Sequence, residues 1–171
     1  MLSIVHLLLL VPLAPVAPTA SVSLDSPTRH IRSDNAYVRK LLKSGYWRSP
    51  SFARLVSHLQ VSDLFVQIEV VPRLPSTIEG RMVSLTRAHD FRYVRIQLEL
   101  RGSPEDLIAL LGHELQHATE VADATEVVGD EGLTSLYRRI GTLHGENQYE
   151  TDAAEDMGRK VRRELFSAPT A

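Results

Sequence analysis

Two histidines four positions apart, His113 and His117, with Glu114 directly after the first, are the residues whose types and spacing could do chemistry. Residues four apart on a helix project from one face about one turn apart, so two imidazoles can be directed at a single ion. Glu114 would stand about 100° around the helix from His113. That is too far to ligate comfortably with both histidines, yet near enough to take a proton from a water at the ion. The pattern is that of a metal site with an adjacent general base. The chain has no cysteine, so His, Asp and Glu are its strong metal ligands, and disulfide and thiolate chemistry are excluded.

Such a spacing converges only on a helix, and the residues before it start one. Ser103 can cap, Pro104 suits the first helical position, and Glu105 and Asp106 lie at the positive end of the dipole. Leu107, Leu111, Leu115, Ala118 and Ala122 recur at spacings of three and four, which predicts one buried face. From Ala109 to Thr119 the helix is uncharged apart from the motif, as suits the floor of a cleft, and Gly112 can let another segment approach closely.

Upstream, Val38, Leu41 and Leu42 predict a short helix ended by Gly45, and Ser49-Pro50 caps a second with Phe52, Leu55, Val56 and Leu59 buried. Alternation over Phe65–Val71 and Tyr93–Leu100, with the short β-prone run Met82–Thr86, predicts three strands joined as an antiparallel meander. Trp47 reads as a core anchor, and His30, His58 and His89 as surface residues without a partner at metal spacing. Downstream, one helix is expected over Glu131–Ile140 and a last one from about Gln148 to Leu165, with Ala154, Met157, Val161 and Leu165 inward.

The segment His113-Glu114-Leu115-Gln116-His117 resembles the active-site helix of the zincin metallopeptidases, whose signature is HExxH in an apolar helix. The resemblance implies one Zn2+ per chain, with Glu114 as general base and a peptide or protein as substrate. It also implies an edge strand over the site that pairs with extended substrate, and Tyr93–Leu100 would be that strand. For the third ligand, Tyr149-Glu150-Thr151-Asp152-Ala153-Ala154 resembles the glutamate-bearing second helix of the gluzincin subclass, which puts Glu150 first. Asp123 stands six residues after His117, where metzincins place theirs, but Glu120 occupies the position of the glycine those proteins need. Glu120 shares the histidine face, yet its Cα lies about 10 Å along the axis from that of His113. Tyr149 and His144 are candidates for an oxyanion donor, with half-buried packing the alternative for Tyr149. Asp152 and Asp123 are candidates for orienting the histidines.

At 171 residues, with 43% hydrophobic and 23% charged, the chain has the bulk properties of one globular domain. A net charge of −2 offers no field for a phosphate backbone, so nucleic acid is not an expected partner. Leu2–Val11 is apolar apart from Ser3 and His6, and Pro12, Pro15 and Pro18 precede small residues. This pattern predicts a signal peptide over 1–22, cleaved between Ala17 and Ser23, and an exported protein with no stable membrane span. Residues 23–33 are expected to be flexible and 34–171 to form the metallopeptidase domain. The predicted fold is α+β, a small antiparallel sheet packed on the zinc-binding helix, with N-terminal helices and a C-terminal helix delivering Glu150. A zincin-fold domain that binds or braces without catalysis is the alternative function, and the tail after Leu165 is a candidate cover for the site.

Overall fold

The structure, a computed structural model, describes residues 28–75, 78–144 and 148–167. The expected signal segment 1–22, residues 23–27 of the expected flexible stretch, and the tail after Ser167 lie outside the described residues. Asn35 opens α1 (Ala36–Arg48) by accepting from the backbone N–H groups of Tyr37 and Val38. The Ser49 hydroxyl likewise caps α2 (Pro50–Gln60), accepting from Phe52 N–H at 3.1 Å. The predicted apolar stripes of both helices are buried. Helix α1 runs past Gly45 rather than ending there. A Cβ at Gly45 would meet the side chains of Ile108 and Phe52, so this glycine serves close packing instead of termination.

Four strands form the main sheet: β1 (Ile31–Arg32), β2 (Leu64–Val70), β3 (Gly80–Ala88) and β4 (Phe91–Leu98), in the order β1-β2-β4-β3. The sheet is mixed, which corrects the expected antiparallel meander. Strand β4 is antiparallel to β3 but parallel to β2, with Val66 opposite Val94, and β1 is parallel to β2. The reason lies in the strands' polarity. Val94, Ile96 and Leu98 make β4 fully buried on one face, so it takes the centre, while the half-exposed β3 takes the edge. A link of nine residues between β2 and β3 is long enough for β3 to reach the far side of β4, and Leu74 within it donates its N–H to the Glu99 carboxylate. The His89-Asp90 link is a tight hairpin, with His89 at φ +54°. Strand β1 lies inside the stretch expected to be flexible.

Helix α3 (Pro104–Asp123) begins with a complete capping box, Ser103 and Asp106 each bonding the other's backbone N–H. It is followed by α4 (Gly129–Ile140), the short hairpin β5 (Thr142–Leu143) and β6 (Tyr149–Glu150), and α5 (Asp152–Ser167). A Cβ at Gly112 would come within 2.9 Å of Val161, so this glycine lets α5 lie close against α3, as its small size suggested. Glu164 on α5 accepts from the hydroxyls of Ser49 and Ser51 and from the Ser51 N–H, tying α5 to the start of α2. Among the described residues no helix is long and apolar enough to cross a membrane. Two side chains depart from expectation: Trp47 is 71% exposed, and His30 is buried, stacked on Phe65 at 4.2 Å. Trp47 instead meets Tyr46 edge to face.

The C-terminal end of α3 has neither a basic residue in its last turn nor a capping glycine. Arg92 of β4, fully buried, fills that role. Its guanidinium donates to the carbonyls of Val121, Ala122, Ala124 and Val127, and to both oxygens of Asp63 at 2.7 and 2.8 Å. These bonds set the end of α3 against the sheet. Arg92→Met should lower folding stability by about 3 kcal/mol, because it strands Asp63 and several buried carbonyls. Urea unfolding checks this, and an unchanged midpoint would mean that Arg92 does not anchor the helix.

Candidate metal centre

His113 and His117 stand one turn apart in the middle of α3, and their rings meet edge to face with centroids 4.9 Å apart. Glu150 reaches both. Its Oε1 lies 3.1 Å from His117 Nε2 and its Oε2 3.3 Å from His113 Nε2. One ligand atom from each of the three residues falls within 4.8 Å of the others, so the group could hold a metal ion. Atoms bound about 2.0–2.1 Å from a tetrahedral ion lie about 3.3 Å apart. The two carboxylate–imidazole separations, one from each oxygen of Glu150, are close to that spacing.

The position of Glu150 differs from the expected one. It belongs to β6, in extended backbone two residues before α5, rather than to the last helix. Its Oε1 also accepts from Thr151 N–H at 3.0 Å, which bends the carboxylate back toward its own chain. Gly158 of α5 lies against His113, where a Cβ would come within 3.3 Å of that of the histidine. The two rival ligands are elsewhere. Asp123 is largely exposed and pairs with His58 Nε2 at 2.7 Å, so neither is without a partner and neither faces the site. Glu120 stands behind His117 and contacts its other nitrogen, Nδ1, at 3.0 Å. Asp152 is exposed at the first position of α5.

Glu114 is buried, only 3% exposed, and its Oε2 has no hydrogen-bond partner among the described residues. Directly over it lies Gly80, at the start of β3; a Cβ there would collide with the Glu114 carboxylate. Burial raises the Glu114 pKa above the usual carboxylate range, against the pull of the His117 and His113 imidazoles. For Glu150 burial acts the same way, but hydrogen bonds from His113 and His117 outweigh it and hold the carboxyl well below that range. Burial would depress the His117 imidazolium, yet hydrogen bonds to Glu120 and Glu150 prevail and lift its pKa to about 10. A partly buried cluster of two imidazoles and three carboxylates thus attracts positive charge, supplied by a proton or by an ion.

These groups line a cleft of about 1140 Å³ between β3, α3, α4 and the β5–β6 hairpin. Tyr137 of α4 closes one wall, its ring edge-on to His117 at 5.3 Å and its hydroxyl donating to the His117 carbonyl at 3.0 Å. Burial pushes this phenol well above its ordinary pKa, so it remains a donor. Tyr149 and His144 both line the cleft; the Tyr149 hydroxyl accepts from Arg138 at 3.3 Å. The edge strand beside the site is β3, not the Tyr93–Leu100 strand expected there, most of which is the central strand β4. The Glu99 backbone N–H donates to the Glu79 carbonyl, so by ladder alternation the peptide groups of Gly80 and Met82 face away from β4. Farther along, Leu85 N–H is taken by Asp130 of α4 at 2.9 Å.

Sequence reasoning passed over Gly80, Tyr137 and Thr151. Helical periodicity marks Tyr137 as inward, but nothing local relates Gly80 to Glu114, 34 positions away. A metal must displace the proton that His117 holds below pH 10 before Nε2 can donate its lone pair. The sign follows: affinity for a divalent metal ion should fall as pH falls, by about tenfold per unit from this proton alone, and Glu150, already ionised, should add nothing near neutrality. Competition titrations at two pH values check this; a pH-independent affinity would mean that His117 does not hold this proton in the metal-free chain.

Comparison with family models, with curated proteins and with solved structures finds no match to this chain.

Proposed function

We propose that this chain is an exported zinc-dependent hydrolase of peptide bonds, with His113, His117 and Glu150 holding the ion and Glu114 acting as general base. One observation carries the reading: one ligand atom from each of His113, His117 and Glu150 falls within 4.8 Å of the others, beside a buried carboxylate with an unpartnered oxygen. Two neutral nitrogens and one carboxylate oxygen suit zinc and leave a further position for water or substrate. Zinc held there would supply a Lewis acid and lower the pKa of a bound water toward neutrality.

The remaining work falls to the chain's own residues. Glu114 takes the proton of the attacking water as its oxygen adds to the substrate carbonyl, and returns that proton to the amine as the C–N bond breaks. Its raised pKa suits a group that must both accept and release a proton. Gly80 holds the carboxylate in place by leaving room for it and no more. The outward peptide groups of Gly80 and Met82 offer main-chain pairing to an extended peptide, which favours a peptide over a small ester as substrate. Export rests on the composition of residues 1–22.

Purified without a histidine tag or added metal, the chain should carry about one zinc by mass spectrometry. Glu114→Gln should keep that zinc and lose turnover of a peptide library by about 10²–10⁴-fold. Retained zinc with no cleavage by the unsubstituted chain would instead favour a binding domain. Gly80→Ala should leave zinc in place and cut turnover at least tenfold or so by displacing Glu114, since a 1 Å misplacement can cost about that much or more. Unchanged turnover in Gly80→Ala would show that the Glu114 position does not matter.

A further inference from the structure

Behind the three candidate ligands, the buried Thr151 and the largely covered Glu120 join His117 to the segment that carries Glu150. Glu120 is one turn along α3 from His117, and its Oε2 lies 3.0 Å from His117 Nδ1. Its other oxygen, Oε1, accepts from the Thr151 hydroxyl at 2.7 Å. Thr151 follows Glu150 directly, is 5% exposed, and its hydroxyl also accepts from Ala154 N–H at 3.2 Å, capping α5. The side chains of Glu120 and His117 are 11% and 8% exposed, so solvent does not readily substitute for these bonds.

We propose that Glu120 and Thr151 are positioning residues: Glu120 holds His117 in the form that carries its proton on Nδ1, and through Thr151 it fixes the chain at Glu150. This rests on the reading of His113, His117 and Glu150 as a metal site. A carboxylate only accepts hydrogen bonds, so the Glu120 contact places a proton on Nδ1. The lone pair of neutral His117 is then on Nε2, the nitrogen that faces Glu150 and His113. A histidine free to take the other tautomer would present an N–H to the ion. The same carboxylate spans two parts of the chain, 31 residues apart, that must meet for the ligand set to close. With one oxygen on each, it couples ring orientation on α3 to the placement of β6.

The contact also accounts for why Glu120 is not itself a ligand. It lies on the Nδ1 side of the His117 ring, opposite the Nε2 atom that faces Glu150. Both of its oxygens are already engaged, and each bond is within ordinary hydrogen-bond range.

Zinc affinity by competition with a chromophoric chelator tests the relay, using the unsubstituted chain, Glu120→Gln, Thr151→Val and Thr151→Ser. Glu120→Gln is nearly isosteric but can turn an N–H toward Nδ1; zinc binding should weaken about 10- to 100-fold. Thr151→Val should also weaken it, Thr151→Ser should restore it, and the double variant should lose less than the product of the two single losses. Nitrogen-15 NMR of the zinc-loaded chain supplies a readout that a bracing role would not move. The Nδ1–H of His117 should be protected from exchange in the unsubstituted chain and exposed to it in Glu120→Gln. Equal zinc affinity in Glu120→Gln, or equal affinity in the valine and serine variants, would overturn the relay alone. No zinc bound by the unsubstituted chain would overturn the metal site and the relay with it.

Discussion

Glu150 must reach two imidazoles on a different element, and most of the architecture around the cleft serves that meeting. Its carboxylate spans His113 and His117, which places one negative charge between two groups that each bind a proton or a metal. The residue comes from extended backbone at the end of a short hairpin, so its position depends on what holds that hairpin. On one side is α5, drawn close to α3 where Gly112 and Gly158 lack side chains. On the other is the Glu120–Thr151 contact, which fixes the residue after Glu150.

Burying this much ionisable material is unfavourable unless each group finds a partner, since an unpaired buried charge costs several kcal/mol. Most of the cluster satisfies that condition within itself: His117 bonds Glu120 through one nitrogen and Glu150 through the other, and Glu120 bonds Thr151. Glu114 does not. One of its oxygens is buried without a partner, and burial raises its pKa. An unsatisfied acid at the floor of a cleft is a cost to the fold that a reaction could use, because a proton or a bound water would satisfy it. Arg92 is a second buried charge with a different logic. It spends its donors on Asp63 and on the terminal carbonyls of α3, so it fixes a helix end and lies away from the cleft.

Sheet order explains the wall of the cleft. Reading each turn signal as a connection to the next neighbour predicted a meander, and the resemblance to zincins put the Tyr93–Leu100 strand beside the site as an edge. Hydrophobic content decides otherwise: the strand with the more buried face becomes central, and the nine-residue link lets the β3–β4 hairpin turn over. As a consequence β3 lines the site with Gly80 at its start, where a side chain would strike the general-base candidate.

The features legible in the sequence were local ones. Capping at Ser49 and Ser103, the apolar stripes of α2 and α3, and the His113–His117 spacing all depend on contacts within one or two helical turns, so residue order alone carries them. Glu150 stood out among three candidates by resemblance, while its place in a strand rather than a helix did not. Strand order, the exposure of Trp47, the burial of His30, and the roles of Arg92, Gly80 and Glu120 rest on partners far away in the chain. Such partners meet only when the sheet and helices pack together, and no periodicity encodes them. The sequence by itself determined which helix could bear a metal; tertiary packing decided which acid stands against both imidazoles and which contacts the far side of His117, because those choices depend on distance in space.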